Sequence, residues 1–160
     1  MPRYHMQRTE REITDPAAIE TILKEGVYAT LAMARGSEPY LVTMNYGYDP
    51  DERALHFHCA NEGLKLAFLR ENPVVCGTVV NDRGYLDGKC SHAFSSAVFW
   101  GHVEFIEDEA GKREALACAI DHLEADAEEM RRRLLAPART FEGVTLFRVV
   151  IDEITGKAGN

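Results

Sequence analysis

Apolar positions in this chain recur first at helical spacing and then, over most of its length, at the two-residue spacing of strands. Thr14 or Asp15 can cap a helix whose first turn holds Pro16. Ile19, Ile22 and Leu23 repeat along it, and Gly26 ends it. Three strand-like segments follow, at 27–34, 39–48 and 54–59. Arg35-Gly36-Ser37-Glu38 and Asp49-Pro50-Asp51-Glu52 separate them, a spacing that predicts an antiparallel meander. Residues 61–71 read as a short helix, 74–80 as a fourth strand, 81–92 as a polar loop containing glycine, and 94–107 as a long fifth strand. A helical pattern over 108–125 continues in a second helix to Leu135, and 144–154, rich in β-branched residues, forms the last strand. Strands and helices do not alternate, so a doubly wound parallel sheet is disfavoured. A Greek-key or meander barrel with peripheral helices, mainly β in an α+β class, is expected.

Length and charge narrow this picture. The 160 residues suit one domain spanning 1–160, large enough to bury its core without staples. No apolar run approaches the roughly 20 residues that span a bilayer, and the polar, basic start at 1–11 lacks a signal core. A cytoplasmic protein without membrane contact is expected. The formal net charge of −8 argues against a nucleic-acid partner. The one basic run, Arg131-Arg132-Arg133, lies beside Glu128 and Glu129 and reads as a solvated helix face. Cys59, Cys76, Cys90 and Cys118 form no C-x-x-C pair and read as free thiols.

The segment from Phe57 to Lys65 carries the most chemistry. A strand ends, the chain turns, and a helix begins with Gly63 and Lys65 near its start. Free N–H groups at a helix N-terminus favour an anion, and Lys65 adds a full charge, so the junction is a plausible phosphate seat. A surface lysine at an ordinary strand–turn–helix junction is the alternative. His56 and His58 share one strand face and could form half of a metal site, but no third ligand lies nearby in sequence and no metal is expected. Cys59 points away from His58, which disfavours a cysteine nucleophile with that base. The chain has no G-x-S-x-G elbow, H-E-x-x-H or P-loop. Ser95, Ser96, Phe99 and Trp100 lie on the long fifth strand, where aromatic rings suit either a core or the wall of a pocket for a planar cofactor.

Seven segments in order resemble the pyridoxamine 5′-phosphate oxidase-like FMN-binding split barrels, most closely their nitroimidazole-resistance branch. They are REITDPAAIETIL, TLAMA, EPYLVTMNYGYD, LHFHCANEGLKLAFL, NPVVC, SSAVFWGHVEFIEDEAGKREAL and FRVVIDEITGK. The resemblance implies a six-stranded antiparallel split β-barrel, and a homodimer with two FMN sites at its interface. It implies that His58, Cys59, Gly63, Leu64 and Lys65 hold the FMN phosphate and ribityl chain, and that Val42, Thr43, Met44 and Asn45 run along the isoalloxazine. It places Ser96 where the oxidases carry a glutamine that reaches the flavin from the partner subunit. Val98 and Trp100 follow Ser96 on the same strand face. Leu64 stands where the oxidases carry arginine and the resistance branch often histidine, which removes one phosphate or catalytic partner. The oxidases' C-terminal arginine and histidine have no counterpart, so pyridoxamine phosphate oxidase activity itself is not expected.

The resulting expectation is an FMN-dependent oxidoreductase of small molecules, of flavin- or nitro-compound-reductase type. Lys65 with the amides of Cys59 and Ala60 forms the phosphate clamp, Val42 to Asn45 position the ring, and Ser96, Val98 and Trp100 close the site from the second subunit. His58 is the candidate substrate-facing group. The alternatives are a non-enzymatic flavin carrier, a haem-binding split barrel using His56, His58, His92 or His102 as axial ligand, and a barrel that has lost its cofactor.

Overall fold

The structure, a computed structural model, describes residues 6–159; the first five positions of the polar amino-terminal stretch, and Asn160, lie outside it. Helix α1 (Pro16–Glu25) starts as its sequence dictates. Asp15 Oδ1 accepts the Ala17 N–H at 3.0 Å, and Pro16 occupies the first turn. The Gly26 N–H closes the helix on the Ile22 carbonyl at 3.0 Å. The strands are β1 (Glu12–Ile13), β2 (Tyr28–Arg35), β3 (Glu38–Asn45), β4 (Gly47–Asp49), β5 (Ala54–Ala60), β6 (Val74–Leu86), β7 (Ser91–Ile106) and β8 (Val144–Gly159). Helix α2 (Leu64–Glu71) follows β5, while α3 (Glu109–Leu123) and α4 (Ala127–Leu135) lie between β7 and β8.

One antiparallel sheet runs in the order β3-β2-β6-β7-β8-β5-β4, with β1 added on β8. The mainly antiparallel, helix-flanked class is as expected, but among the described residues the strands number eight rather than six. Six strands have seven residues or more; β1 and β4, of two and three residues, are the additions. Strand β4 exists because the segment predicted as one strand at 39–48 breaks at Tyr46. That ring is fully buried, and its hydroxyl donates to the Leu23 carbonyl at 2.6 Å, tying the break to the end of α1. The predicted loop at 81–92 is a hairpin. Its polar residues stay in the β6–β7 ladder across a register shift between Asp82 and Tyr85, and Gly88 and Cys90 turn the chain with φ of 74° and 47°.

The inner face of the sheet carries Leu31, Val79, Phe99, Phe57, Phe147 and Val149 into one buried cluster. The outer face is treated differently at its two ends. Over β8, β5 and β4 it lies under α3, whose Ala115, Leu116 and Ile120 join Leu146 and Phe141 in a second cluster. Gly47 makes this seat possible: a Cβ there would lie 2.5 Å from the Ala119 nitrogen. Over β3, β2, β6 and β7 the same face leaves Tyr28, Leu41, Val74 and Val80 between 47% and 62% exposed.

Candidate functional site

Strand β5 ends at Ala60 and α2 begins at Leu64, so the connector is three residues long. Asn61 fixes it: its Nδ2 donates to the Glu142 carbonyl at 2.8 Å, and Thr145 Oγ1 donates to its Oδ1 at 3.0 Å. Gly63 then enters the helix at φ 145°, a conformation open to glycine, and supplies no side-chain cap. A Cβ on Gly63 would meet nothing within 4 Å, so the space in front of the first turn is open. The opening N–H groups of α2 thus face outward without a side-chain acceptor, with half-buried Lys65 in the first turn.

The predicted clamp residues are brought together here. Burial raises the Cys59 thiol pKa, while the positive charges of Lys65 and Arg70 act to lower it, so two cations face the end of β5. Arg70 was missed by sequence reasoning. It lies in the last turn of α2 and stacks its guanidinium 5.6 Å from the centre of the Phe105 ring. Asn61 was missed too, because its partners lie 81 and 84 residues further along the chain. His58 is exposed beside this junction, and Leu64 is 49% exposed at the helix start. The junction can accept an anion through Lys65, Arg70 and the free amides, beside the exposed carboxylate of Glu62 in the connector.

Val42, Thr43, Met44 and Asn45 lie on β3, at one end of the strand order. Val42 and Met44 pack against the core, and Thr43 and Asn45 are exposed. Thr43 shares a 2.8 Å hydrogen bond with Thr30, and Asn45 Nδ2 donates to the Val27 carbonyl at 3.1 Å. One side of β3 pairs with β2; the other has no strand partner among the described residues, leaving main-chain donors and acceptors along its edge. Helix α2 packs on β2 and β3, with Tyr40 and Phe68 ring centroids 5.3 Å apart, so the anion-type junction belongs to the helix beside this edge.

Ser96, Val98 and Trp100 sit half-buried on the outer face of β7, opposite the buried Ala97 and Phe99. They pair with Val80, Thr78 and Cys76 of β6, and Thr78 in turn pairs with Thr30 of β2, which pairs with Thr43 of β3. Three strand spacings, about 14 Å, therefore separate them from β3. One chain does not bring the two groups together.

A cavity of about 720 Å³ opens elsewhere, between α1, the turn after β4 and β8, lined among others by Ile13, Ile19, Tyr48, Arg53 and Ile154. It contains none of the predicted site residues and no histidine. The histidines proposed as axial ligands are otherwise placed. His92 Nε2 lies 2.6 Å from Asp82 Oδ1, and His102 Nδ1 lies 3.3 Å from Asp152 Oδ2. His56 is buried beside Asp49 and Glu52, and His58 is exposed.

Residues 15–158 match the sequence pattern of the pyridoxamine 5′-phosphate oxidase family. A solved protein from Bacteroides thetaiotaomicron, described as a candidate 5-nitroimidazole antibiotic resistance protein, is 30% identical. It aligns over 91% of this chain and 85% of its own, with a TM-score of 0.77. An FAD-binding protein from Mesorhizobium loti is 21% identical over 94% of this chain and 98% of its own, with a TM-score of 0.68. An FAD- and haem-binding protein from Mycobacterium smegmatis is 18% identical over 94% of this chain and 74% of its own, with a TM-score of 0.77. No curated protein matches the chain.

Proposed function

The chain belongs to the pyridoxamine 5′-phosphate oxidase family, and from that membership we propose that it is an FMN-dependent oxidoreductase of small molecules, active as a homodimer. The observation that carries this reading is the start of α2: an uncapped helix N-terminus at Gly63 with Lys65 in its first turn and Arg70 close to Cys59. This donor set fits a terminal phosphate, which needs full positive charge and several directed N–H groups at once.

Lys65 and the amides at Cys59 and Ala60 bind the phosphate, and Asn61 holds the connector that aims them. The free edge of β3 at Val42–Asn45 orients the ring through main-chain groups. Ser96, Val98 and Trp100 come from the second subunit, because one chain keeps them about three strand spacings from that edge. The exposed Tyr28, Leu41, Val74 and Val80 supply the apolar surface of the contact and exclude water from the ring. Bound flavin itself supplies the hydride or electron transfer. His58 and Leu64 flank the phosphate end, one as a hydrogen-bonding group for substrate and the other as an apolar wall.

An absorption spectrum of the purified protein, followed by release and mass analysis of the chromophore, tests this reading. One FMN per chain is expected, with occupancy falling at least about tenfold in Lys65→Ala, the loss of one charge-assisted contact. A colourless protein that also fails to take up added FMN overturns it. Release of FAD instead corrects the cofactor and moves the clamp from a terminal phosphate to a pyrophosphate.

A further inference from the structure

A second polar centre lies on the helix-covered end of the outer sheet face, separate from α2. Cross-strand register aligns His56 of β5 with Arg148 of β8, and Arg148 with Glu104 of β7. The turn from β4 to β5 folds Asp49 and Glu52 over the imidazole. A cavity of about 340 Å³ remains between this row and the start of α3.

The imidazole is out of place as an ordinary core residue. His56 is only 6% exposed, yet its buried Nδ1 has no hydrogen-bond partner. Its Nε2 lies 3.6 Å from Glu52 Oε2 and 3.9 Å from Asp49 Oδ2, too far for hydrogen bonds to either. A buried imidazole is ordinarily satisfied on at least one nitrogen. This one instead points Nε2 between two carboxylate oxygens, and the three atoms lie within 4.8 Å of one another. Ligands of a tetrahedral zinc-type ion, each about 2.0–2.2 Å from the metal, stand about 3.3 Å apart. The two separations from Nε2 need to close by about 0.3 and 0.6 Å, and the two carboxylate oxygens, within 4.8 Å of each other, by at most about 1.5 Å.

The surroundings support a cation. Glu104, Glu107, Asp108 and Glu114 line the same cavity, and Arg148 is the one basic side chain in its lining. Arg148 donates to Glu52 Oε2 at 2.5 Å and to Glu104 Oε2 at 2.8 Å, which fixes the Glu52 carboxylate; Oε2 is also the oxygen nearest the imidazole, so a bound ion takes that oxygen from the guanidinium or uses Oε1. Asp49 is oriented by the backbone: its Oδ1 accepts the N–H groups of Asp51 at 2.9 Å and Glu52 at 3.2 Å, leaving Oδ2 for the site.

We propose that Asp49, Glu52 and His56 form a binding site for one divalent transition-metal ion of the zinc class, which clips the β4–β5 turn to the sheet beneath α3. One imidazole nitrogen and two carboxylate oxygens suit Zn²⁺ or Co²⁺ over Ca²⁺, which takes oxygen alone, and over Cu⁺, which prefers sulfur. The site uses neither α2 nor the exposed outer face, so it stands or falls independently of the flavin reading.

The test uses untagged, full-length protein stripped with a chelator and titrated calorimetrically with Zn²⁺ at pH 7.5, and with Co²⁺ by absorption. The expected result is one Zn²⁺ per chain, and a Co²⁺ spectrum with visible ligand-field bands but no thiolate charge-transfer band. Glu52→Gln and His56→Gln each weaken Zn²⁺ binding by about tenfold or more. Zn²⁺ raises the melting temperature of the wild type but not of Glu52→Gln. Glu52 is an exposed turn residue, so its variant carries the test if His56→Gln does not fold. Absence of stoichiometric binding, binding unchanged in Glu52→Gln, or a thiolate band in the Co²⁺ spectrum overturns the proposal.

Discussion

At the scale of single residues, position in the sheet decides chemistry more than residue type does. His56 and His58 share a strand face, but β5 carries His56 beneath α3 and the β4–β5 turn while His58 reaches solvent. Their roles separate accordingly. His102, on the outer face of β7, is held by Asp152 first and Glu104 second, both favouring its protonated form, so its pKa is raised above 6.5. A raised folded-state pKa gives stability that is fully present below 6.5 and fades as pH rises through the raised midpoint. His102 is 41% exposed, so the effect on stability is small. An NMR titration should place the His102 midpoint above 6.5, and Asp152→Asn should bring it down. A midpoint at or below 6.5 in the wild type would show that the Asp152 contact does not persist in solution.

Between elements, the decisive contacts are close approaches that glycine permits. Helix α3 rests on β4 at Gly47, where a Cβ would lie 2.6 Å from the Ala119 Cα as well as 2.5 Å from its nitrogen. Both are backbone atoms, so no rotamer change relieves the clash. Gly47→Ala should therefore shift α3 and cost about 1–3 kcal/mol in urea unfolding, the range for overpacking. An unchanged unfolding midpoint would mean that the helix is not seated there. The sequence pattern gives α3 its length and its apolar stripe, but the seat of Ala119 at Gly47 comes from a strand far earlier in the chain. The Asp108 cap, which accepts the Gly111 N–H at 2.7 Å, was by contrast written locally.

For the whole molecule, the uneven cover of the outer sheet face matters most. Helix α3 protects the β8-β5-β4 end and leaves Tyr28, Leu41, Val74 and Val80 on the β3-β2-β6-β7 end open. The strand register sets Tyr28 and Val80 at one end of this face and Leu41 and Val74 at the other, with Thr30, Thr43 and Thr78 between them, and exposed apolar side chains grouped on one face suit a partner's surface. Under the proposed homodimer, Val80→Asp places a charge in that contact. Val80 is 47% exposed in one chain, so the substitution should leave the monomer folded. Light scattering should find Val80→Asp monomeric, with bound flavin lost alongside the dimer. A variant that stays dimeric and keeps its chromophore would place the subunit contact elsewhere.

The sequence by itself determined the periodic elements, the cap at Asp15, and the strand–turn–helix junction around Lys65, because each depends on residues within a few positions of one another. Tertiary structure alone decided what depends on register and burial. It broke the 39–48 strand at Tyr46, whose hydroxyl needed the Leu23 carbonyl, and it kept the polar 81–92 segment extended through pairing between β6 and β7. It added Asn61 and Arg70 to the anion site, and it set His56 against Asp49 and Glu52 instead of His58. It also parted Ser96, Val98 and Trp100 from β3 by three strands. A strand's alternation says which residues share a face. Only the neighbours that pack on that face say whether it is core, site or open surface.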